Sequence, residues 1–440
     1  MKVLAKGDKK LLNAWAFYDW ANSVYPLVIS SALFPLFYGG LFDTKKPYIH
    51  IFGTDFKNSA LISFVTALAF LVVAFISPLL SGIADYVGNK KNFMRFFCYL
   101  GALSCIGLYW FSLQHIYIGL FFYFCGLIGF WGSLVFYNSY LPDIAFEEQQ
   151  DYISAKGYSM GYIGSVLLLI INLAMVMQPA FFGINGSKDD AAMLAMRDSF
   201  IMVGLWWIIF SQYSYFYLPK GNKNADRKVS RTVVFNGFKE LKKVWLLLQE
   251  NIILKKYLTA FFVYSMAVQT VMLIATYFGA QEILWASGSE KTMGLIICIL
   301  VIQLVAILGA VLTSKASAKY GNIPTLMFIN SVWVLICIAA YFITLPIHFY
   351  VMAGLVGMVM GGIQALSRST YSKLLPETED TASFFSFYDV SEKLGIVIGM
   401  SIYGIIDQIT GSPRFAIVFL ALFFAVGLFL LNKIPKKNVK

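Results

Sequence analysis

Charged residues are scarce in this 440-residue chain, in which Asp, Glu, Lys and Arg make up 13% and hydrophobic residues 59%. The mean hydropathy of +0.71 is far above that of a water-soluble domain of this length. Histidine is rarer still, and its three positions are widely separated in or beside predicted external loops: His50, His115 and His348. A catalytic or metal centre built from them would require coincidences of folding, so we expect neither.

Cysteine is also sparse, and its pattern excludes the usual uses of thiols. All five cysteines fall inside predicted membrane spans without metal-like spacing, and we interpret them as buried apolar side chains: Cys98, Cys105, Cys125, Cys298 and Cys337. No glycine-rich phosphate loop with a lysine is present, and we interpret the glycines of "GMVMGG" as packing positions: Gly357, Gly361 and Gly362. These absences predict a protein that is not an enzyme and needs no cofactor.

What the sequence has instead is a series of apolar stretches long enough to cross a bilayer. About 20 residues at 1.5 Å per residue cross roughly 30 Å of hydrocarbon. Twelve stretches meet this requirement, near 11–40, 58–84, 93–113, 115–137, 154–177, 198–218, 256–280, 292–314, 323–345, 347–368, 382–406 and 412–432. The first is too polar for a signal-peptide core, so we expect it to be retained. The predicted fold class is an all-α membrane protein with twelve transmembrane helices in two six-helix halves.

Basic residues are concentrated on one side of the predicted membrane topology. With an even number of spans both termini share a face, on which the loops after spans 2, 4, 6, 8 and 10 also lie. This face collects most of the 34 lysines and arginines, which predicts that it is cytoplasmic. The net charge of +11 is explained by this orientation signal, so we expect no nucleic-acid partner.

The longest break in hydrophobicity divides the chain into a first bundle at 1–218, a linker at 219–254 and a second bundle at 255–440. The linker begins with the disordered-looking "PKGNKNADRKVSR" and continues as a basic amphipathic helix. Its apolar positions recur at helical spacing opposite three lysines: Val234, Phe238, Leu241, Trp245 and Leu248 against Lys239, Lys242 and Lys243. Such a helix either lies on the membrane surface or binds a regulatory partner.

Short matches recur at nearly the same separation in the two halves. "SGIADYVGN" after span 2 is similar to "SKASAKYGN" after span 8, and "LPD" after span 4 to "LPE" after span 10. Gly161 in span 5 corresponds to Gly395 in span 11. Halves of six helices have the same orientation and are related by an axis along the membrane normal. The chain is therefore predicted to contain an internal duplication.

The stretch "GIADYVGNKK" resembles the loop motif after the second helix of major facilitator superfamily transporters. An acid, a glycine three residues on and a basic pair match the motif, at Asp85, Gly88, Lys90 and Lys91. Departures from the motif are Ser81, Tyr86 and Asn89. The resemblance implies a gating role for the matching residues, and we expect Asp85 to contact basic residues or a helix N-terminus of a neighbouring span.

Four further stretches resemble the vacuole-effluxer family associated with autophagy in fungi and its bacterial relatives: "YDWANSVY", "YNSYLPDIA", "GYSMGYIGS" and "GGIQALSRSTYSKLLP". "FFSFYDVSEKLGIVIGM" in span 11 follows the family pattern loosely, with Met400 where proline is expected. The resemblance implies a secondary transporter that rocks its two halves around a central site, with amino-acid export as a candidate activity. It also implies a location in a bacterial inner membrane.

Span 1 carries more polarity than a lipid-facing helix tolerates. Residues three and four apart form one stripe on it, consisting of Trp15, Tyr18, Asp19, Asn22, Tyr25 and Pro26. A carboxyl group in the bilayer interior is costly unless it faces a bundle interior or a wet cavity, and in the superfamily span 1 lines the central cavity. We therefore expect substrate contacts from Tyr18, Asp19, Asn22 and Tyr25. Alternatively, Asp19 only bonds a neighbouring helix, and Trp15 and Tyr18 are aromatic-belt anchors.

Spans 4, 7 and 10 also line the cavity in the superfamily. Their polar residues are further candidates for substrate contact: Tyr137, Asn138, Tyr264, Gln269 and Gln364. Arg368 in span 10 or Lys393 in span 11 could hold a substrate carboxylate. Arg368 lies near the predicted cytoplasmic end of its span, which equally suits a gate.

Span 11 contains the charged cluster "YDVSEK". Asp389 and Lys393 are four apart and can pair along the helix, and Asp389 is a gating candidate. Glu392 has no partner nearby in the sequence, and such a buried carboxyl tends to hold a proton. Glu392 and Asp19 are thus the candidate coupling sites, with protons as the candidate coupling ion. The alternative is an ion-pair network that joins the two halves.

Two classes of function are compatible with these features. The first is a monomeric secondary transporter, working by alternating access, of a small polar metabolite such as an amino acid or a short peptide. The second is a non-transporting membrane receptor or lipid-handling protein on the same fold, because fold does not fix function. Charges within the bilayer favour transport. The sequence predicts a small-molecule substrate and contact with the lipid bilayer, but neither the substrate's identity nor the direction of transport.

Overall fold

Twelve long apolar helices form the protein in a computed structural model that describes residues 4–42, 48–51, 53–220 and 233–435. Span 1 consists of three consecutive helical segments, Lys9–Asn22, Tyr25–Leu33 and Phe34–Gly40. The other spans are, in order, Asn58–Val87, Lys90–Gly107, Ile116–Asn138, Glu147–Met177, Lys188–Tyr217, Ile252–Glu282, Gly288–Tyr320, Asn322–Ala340, Pro346–Leu374, Thr381–Thr410 and Pro413–Asn432. The predicted all-α class with twelve membrane-crossing helices is confirmed.

Short elements occupy the connections between the spans. An antiparallel hairpin that the apolar pattern does not predict follows span 1, formed by the strands Tyr48–Ile51 and Thr54–Lys57. Single helical turns lie at Leu108–Trp110, Leu113–His115, Leu141–Ile144 and Pro179–Phe182. Spans 2 and 3 are separated only by Gly88 and Asn89, and Gly88 ends span 2 at φ 67°, a left-handed conformation that glycine adopts without a steric penalty.

Span 1 is not the single regular helix predicted over 11–40. Its middle segment, Tyr25–Leu33, is a π-helix that contains Pro26 in its first turn. Proline has no backbone N–H, so it cannot complete the i→i−4 hydrogen bond of an α-helix at this point. The Ser31 hydroxyl donates to the Pro26 carbonyl oxygen over 2.9 Å, which adds a side-chain hydrogen bond to the segment.

Two separate apolar cores hold the spans together. Spans 1–6 supply nearly all of the first core, and spans 7–12 with the linker supply nearly all of the second. In the second core, for example, the rings of Trp333 and Phe424 stack with centroids 5.2 Å apart. Between the cores lies a contact surface, here called the seam, formed by span 2 with span 11 and by span 5 with spans 8 and 10. Each half thus has its own core, while the seam can change without unpacking either half.

The linker contains a helix over Val233–Glu250, where the amphipathic spacing predicts one. Val244 and Leu248 of this helix are buried and belong to the core of the second half. Most of the disordered-looking stretch lies at 221–232, outside the described residues. The domain boundaries at 218 and 254 stay predictions, and the helix of span 7 begins at Ile252.

Close packing of spans 8 and 10 depends on the glycines of "GMVMGG". A Cβ atom added to Gly361 would clash with the carbonyl oxygen of Ala306, and one added to Gly357 would clash with that of Ile302. Gly354, on the same helix, has no atom within 4 Å of such a Cβ. A Cβ atom added to Gly362 would clash with the hydroxyl of Thr313, so glycine is a steric requirement at all three positions of the stretch and is optional at Gly354.

Gly361→Ala is expected to destabilise the protein, because the added methyl group must push spans 8 and 10 apart. Overpacking of this kind typically costs about 1–3 kcal/mol. Gly354→Ala is the matched control on the same helix. Thermal unfolding in detergent, followed by intrinsic fluorescence, should give a lower Tm for Gly361→Ala only. Equal Tm values for the two variants would contradict this account of the packing.

Candidate functional site

The described chain begins before span 1 and ends after span 12 at one end of the helical bundle, here called the terminal end, where odd-numbered spans start and even-numbered spans stop. The backbone N–H of Gly7, before span 1, donates to the carbonyl oxygen of Ile144, after span 4, over 2.7 Å. Lys256, near the start of span 7, donates to the carbonyl oxygen of Lys433, after span 12, over 3.2 Å. The described parts of the loops predicted to be rich in basic residues lie at this end.

A buried ion pair joins the two halves. The guanidinium of Arg368 in span 10 donates from both terminal nitrogens to Oδ2 of Asp19 in span 1, over 3.2 and 3.3 Å. The Tyr137 hydroxyl in span 4 donates to the same carboxylate oxygen over 2.8 Å. Only 2% of the Arg368 side chain and 6% of the Asp19 side chain are exposed. Removing one partner of such a pair leaves an unpaired buried charge, at a cost of about 3–5 kcal/mol.

Arg368 is surrounded by polar and aromatic groups beyond the ion pair. Its Nε donates to the Ser154 hydroxyl over 3.0 Å, and its Nη2 donates to the Ser154 carbonyl oxygen over 2.9 Å. Its Nη1 donates to the Asn138 amide oxygen over 3.3 Å. The rings of Tyr158 and Trp15 have centroids 4.2 and 4.7 Å from the guanidinium carbon. The arginine of the second half therefore has partners in spans 1, 4 and 5 of the first half.

Span 5 supplies several groups to this site that the sequence does not predict. Ser154 and Tyr158 contact the arginine, and a Cβ atom at Gly157 would clash with the Asp19 carboxylate. A Cβ atom at Gly161 would likewise clash with the hydroxyl of Ser23 in span 1. Glycines four apart on one helix face are typical of close helix contacts in membranes, and this spacing is the signal that could have identified span 5.

The polar stripe predicted on span 1 divides between two environments. Asp19 faces the second half, as described. Tyr18 and Tyr25 face the interior of the first half instead, where Tyr18 lies 6.2 Å from the Tyr215 ring and Tyr25 stacks on Phe130 at 5.1 Å. The expected single cavity-facing stripe is wrong for these two tyrosines. The reason is that residues three and four apart spread over a wide arc of the helix, and only part of that arc faces the second half.

Trp15 and Tyr18 are fully buried, which contradicts the alternative that they are aromatic-belt anchors at the headgroups. The Trp15 indole N–H donates to the Tyr137 carbonyl oxygen over 2.9 Å. Asn22 is also buried, and its amide nitrogen has no hydrogen-bond partner among the residues that the structure describes. The buried hydroxyl groups of Tyr18 and Tyr25 also lack a hydrogen-bond partner among the described residues, so three positions of the predicted stripe have unused hydrogen-bonding capacity.

A second charged cluster, consisting of Asp389, Glu392 and Lys393, lies within span 11. The Lys393 ammonium donates to Asp389 over 2.6 Å and to Glu392 over 2.8 Å. Glu392 also accepts a hydrogen bond from the Gln269 amide in span 7 over 2.8 Å, so the expectation that Glu392 lacks a partner is wrong. Helical spacing does not reveal this, because one partner is the adjacent residue and the other is in another span. Lys393 lies 3.8 Å from the ring centroid of Trp131 in span 4 of the first half.

Two other residues predicted to contact substrate have protein partners here. The Tyr162 hydroxyl of span 5 donates to the Gln364 amide oxygen of span 10 over 2.8 Å, which connects the halves. The Tyr264 hydroxyl lies 2.7 Å from the Ser367 hydroxyl oxygen, within the second half. Gln364 therefore lies at the seam, and Tyr264 belongs to the interior of the second half.

At the terminal end, Asp85 of span 2 caps the N-terminus of span 11. Its carboxylate accepts hydrogen bonds from the backbone N–H groups of Ala382 and Ser383, over 3.2 and 2.7 Å, and from the Ser383 hydroxyl over 2.6 Å. The expected contact of Asp85 with a helix N-terminus is thus present. Free N–H groups and the helix dipole both favour a carboxylate at this position.

Lys90 of span 3 adds to the same contact between the halves. Its ammonium donates to the Thr381 hydroxyl of span 11 over 2.9 Å and to the Ser139 carbonyl oxygen over 3.1 Å. It also forms an ion pair with Asp143, in the short turn after span 4. One lysine therefore connects the start of span 11 to two elements of the first half.

Three other residues predicted to gate do not bond across the seam. Lys91 donates to the Leu218 carbonyl oxygen at the end of span 6, over 2.7 Å, and so stays within the first half. Gly88 provides the left-handed turn between spans 2 and 3. Asp389 forms its ion pair with Lys393 in its own helix, because the spacing of four residues already brings the two side chains together.

Where span 5 meets spans 8 and 10 at the seam, Asp151 of span 5 makes a buried contact that the sequence does not predict. It accepts from the Lys373 ammonium over 2.7 Å, from the Ser317 hydroxyl over 2.8 Å and from the Asn322 amide over 2.9 Å. All three donors belong to the second half. Asp151 ends the polar run "EEQQD", which has the composition of a solvated helix start, so its context carries no signal of burial.

The chain matches the family model described as "Vacuole effluxer Atg22 like" over residues 7–440. It is 30% identical to the uncharacterized MFS-type transporter YxiO of Bacillus subtilis, over 99% of this chain and 97% of that protein. It is 23% identical to autophagy-related protein 22 of Eremothecium gossypii, over 97% of this chain and 92% of that protein.

Solved structures of major facilitator superfamily transporters have the same fold. The TM-score is 0.70 to FucP in its outward conformation, at 14% identity, with 97% of this chain and 99% of that chain covered. It is 0.65 to the proton:xylose symporter XylE, at 12% identity, with 97% and 95% covered. Given the family match over almost the whole sequence, this chain belongs to the Atg22-like family of vacuole effluxers and is a membrane transporter of the major facilitator type.

Proposed function

We propose that this transporter is a secondary carrier that works by alternating access, and that the pair of Asp19 and Arg368 helps to close its terminal end. The observation that carries the proposal is this ion pair, which is buried and connects span 1 of the first half to span 10 of the second. A static scaffold gains little from a buried ion pair, because well-packed apolar residues are often equally stabilising. The ion pair is better explained as a contact that forms in one state of the transport cycle and breaks in the other.

Three polar contacts between the halves support closure of the terminal end in this state. Asp85 forms one where span 2 meets span 11, and Asp151 forms another where span 5 meets spans 8 and 10. The third is the ion pair of Asp19. Opening this end requires water or other partners to replace all three. While the terminal end is closed, solute would reach the middle of the bundle from the opposite end. The basic loops favour the cytoplasm of a bacterial cell at the terminal end, with the protein in the inner membrane.

The proposed solute site is formed around Glu392 and Lys393. The Lys393 ammonium can bind a substrate carboxylate, and Glu392 can bind a substrate ammonium. Gln269 adds a neutral hydrogen-bonding group, and Trp131 adds an aromatic surface. This combination suits a small zwitterion, which favours amino acids or short peptides as substrates. The family's description as effluxers is compatible with export and names no solute.

Charge balance favours the span 11 cluster over Asp19 as the site of a coupling proton. Asp19 already faces one cation, whereas Asp389 and Glu392 share the single cation of Lys393. Oδ2 of Asp389 has no hydrogen-bond partner among the described residues. Two carboxylates and one ammonium carry an excess negative charge, which a proton or a substrate ammonium would neutralise. A proton and a substrate ammonium would thus compete for one site, as expected of a proton-coupled exchanger.

Asp19→Asn is expected to shift the protein toward an open terminal end, because a neutral amide cannot replace the charge-assisted pair with Arg368. Spin labels at Glu148 and Lys315, exposed residues on spans 5 and 8 at this end, would report the opening as longer distances in double electron–electron resonance. Asp55→Asn is the matched control, since it removes the same charge from an exposed carboxylate that lies 2.8 Å from the His50 ring in the β-hairpin. Unchanged distances in Asp19→Asn would contradict the closing role.

Lys393→Ala is expected to weaken binding of a zwitterionic substrate about 10- to 100-fold, because one charge-assisted hydrogen bond is worth roughly 1.5–3 kcal/mol. Counterflow of radiolabelled amino acids in proteoliposomes identifies the substrate, and a thermal-shift titration then measures its affinity. An analogue without the carboxylate should not distinguish the variant from the wild type. Lys315→Ala, at an exposed lysine, is the control. Undiminished affinity in Lys393→Ala would exclude the lysine as the carboxylate's partner.

Glu392→Gln is expected to uncouple transport from the proton gradient. The amide retains a hydrogen bond with Gln269 but cannot take up a proton, and Asp389 remains for a substrate ammonium. Accumulation driven by a pH difference should be lost, while counterflow at equal pH persists. Asp55→Asn, which neutralises an exposed carboxylate in the β-hairpin, should keep pH-driven accumulation. Normal pH-driven accumulation in Glu392→Gln would refute this assignment of the coupling site.

The alternative of a non-transporting receptor or lipid-handling protein leads to different results in the same assays. It requires that no solute gives counterflow in proteoliposomes. The charged and amide groups at the seam favour transport, because a protein without a solute pathway gains little from them. We further propose that the monomer is the functional unit, since each half completes its own core within one chain.

A further inference from the structure

The linker helix, Val233–Glu250, packs against span 2 of the first half and against spans 7 and 11 of the second. Its Lys243 ammonium donates to the Asp380 carboxylate over 2.6 Å, and this hydrogen bond raises the pKa of Lys243. The Trp245 ring lies 5.6 Å from the Phe387 ring of span 11. The helix is therefore attached to both sides of the seam, beside the start of span 11.

The face of the linker helix that points away from the bundle, with Trp245 at its edge, exposes apolar and basic side chains together. Phe238, Trp245 and Leu246 are 56, 47 and 53% exposed. Lys239 and Lys242 are exposed between them on the same face, and neither has an ion-pair partner among the described residues. Exposed aromatic side chains are unfavourable in water. At the headgroup level of a bilayer, aromatic rings reach the hydrocarbon boundary while lysines reach the phosphates.

The neighbourhood of the helix is consistent with that level. Span 2, against which the helix packs, exposes large apolar side chains in the manner of a lipid-facing helix, including Leu68, Leu71 and Phe75. The linker helix thus lies at the perimeter of the bundle, next to lipid. Within the helix, the Glu240 carboxylate lies 3.4 Å from the Lys243 ammonium. Lys239 and Lys242 therefore keep their positive charges without an ion pair among the described residues.

We propose that the linker helix binds acidic phospholipid headgroups through Lys239 and Lys242, and that this binding favours closure of the terminal end. The connection to closure is Lys243, which attaches the helix to Asp380, immediately before span 11. Ser383, three residues further on, is the residue that Asp85 of span 2 binds. A helix fixed on an acidic surface therefore restrains the start of span 11 against span 2.

Binding is tested with the full-length protein in nanodiscs of phosphatidylcholine, with and without phosphatidylglycerol. An NBD dye attached at Phe238→Cys should show blue-shifted emission with phosphatidylglycerol and quenching by spin-labelled acyl chains. Lys239→Gln/Lys242→Gln should abolish the lipid-dependent shift. Lys9→Gln/Lys10→Gln removes the same charge from exposed lysines at the start of span 1 and should retain the shift. The proposal is overturned if phosphatidylglycerol does not change the dye emission, which is the result expected if the helix binds an acidic protein partner instead. It is also overturned if the two double variants have the same effect on the emission.

Closure is tested by the distance between spin labels at Asn92 and Glu379, exposed residues on the two sides of the seam. Phosphatidylglycerol should raise the ratio of short to long distances at least threefold in the wild type, and not in Lys239→Gln/Lys242→Gln. A dye shift without a change in this ratio would overturn the link to closure. Neither measurement requires substrate, so the outcome is independent of whether the protein transports amino acids.

Discussion

The ion pair of Asp19 and Arg368 is the interaction on which the architecture of the seam depends. Both charges are removed from water, so the surrounding structure must provide every partner that water would otherwise supply. Position 157 is glycine because the carboxylate occupies the space of a side chain there. Ser154 and Tyr137 direct polar groups at the pair, and apolar packing excludes solvent around it. One charge in each half thereby determines residue choice in several spans.

The two halves use different chemistry at the two contacts that form the seam. In the first half, Asp85 accepts hydrogen bonds from the N-terminus of span 11. Ala318 stands at the matching position of "SKASAKYGN", so the second half offers no equivalent carboxylate. There, Ser317 and Asn322 donate to Asp151, an acid that span 5 provides. The two similar stretches thus both lie at contacts between the halves, while the carboxylates at both contacts come from the first half.

Hydropathy and the positions of charges were sufficient to predict the twelve spans and to select Asp19 and Arg368 as unusual residues, while Asp85 was selected by the resemblance of its loop to the superfamily motif. The partners of these residues were harder to predict, because each lies in a span more than a hundred residues away. A projection of one helix shows which residues share a face but not which helix that face meets. Tyr18 was misassigned for this reason. Asp151 was missed because its burial depends on donors from three other elements.

The π-helical segment Tyr25–Leu33 has a consequence for how the two ends of span 1 are oriented about its axis. A π-helix contains more residues per turn than an α-helix, so each residue advances through a smaller angle. The segment therefore sets the rotational phase between Asp19 before it and Phe34 after it. Asp19 must face Arg368, while Phe34 must stack on Tyr123 inside the first half, with ring centroids 4.4 Å apart. A single-residue deletion within the segment would alter that phase, so chain length here is constrained as strictly as side-chain identity.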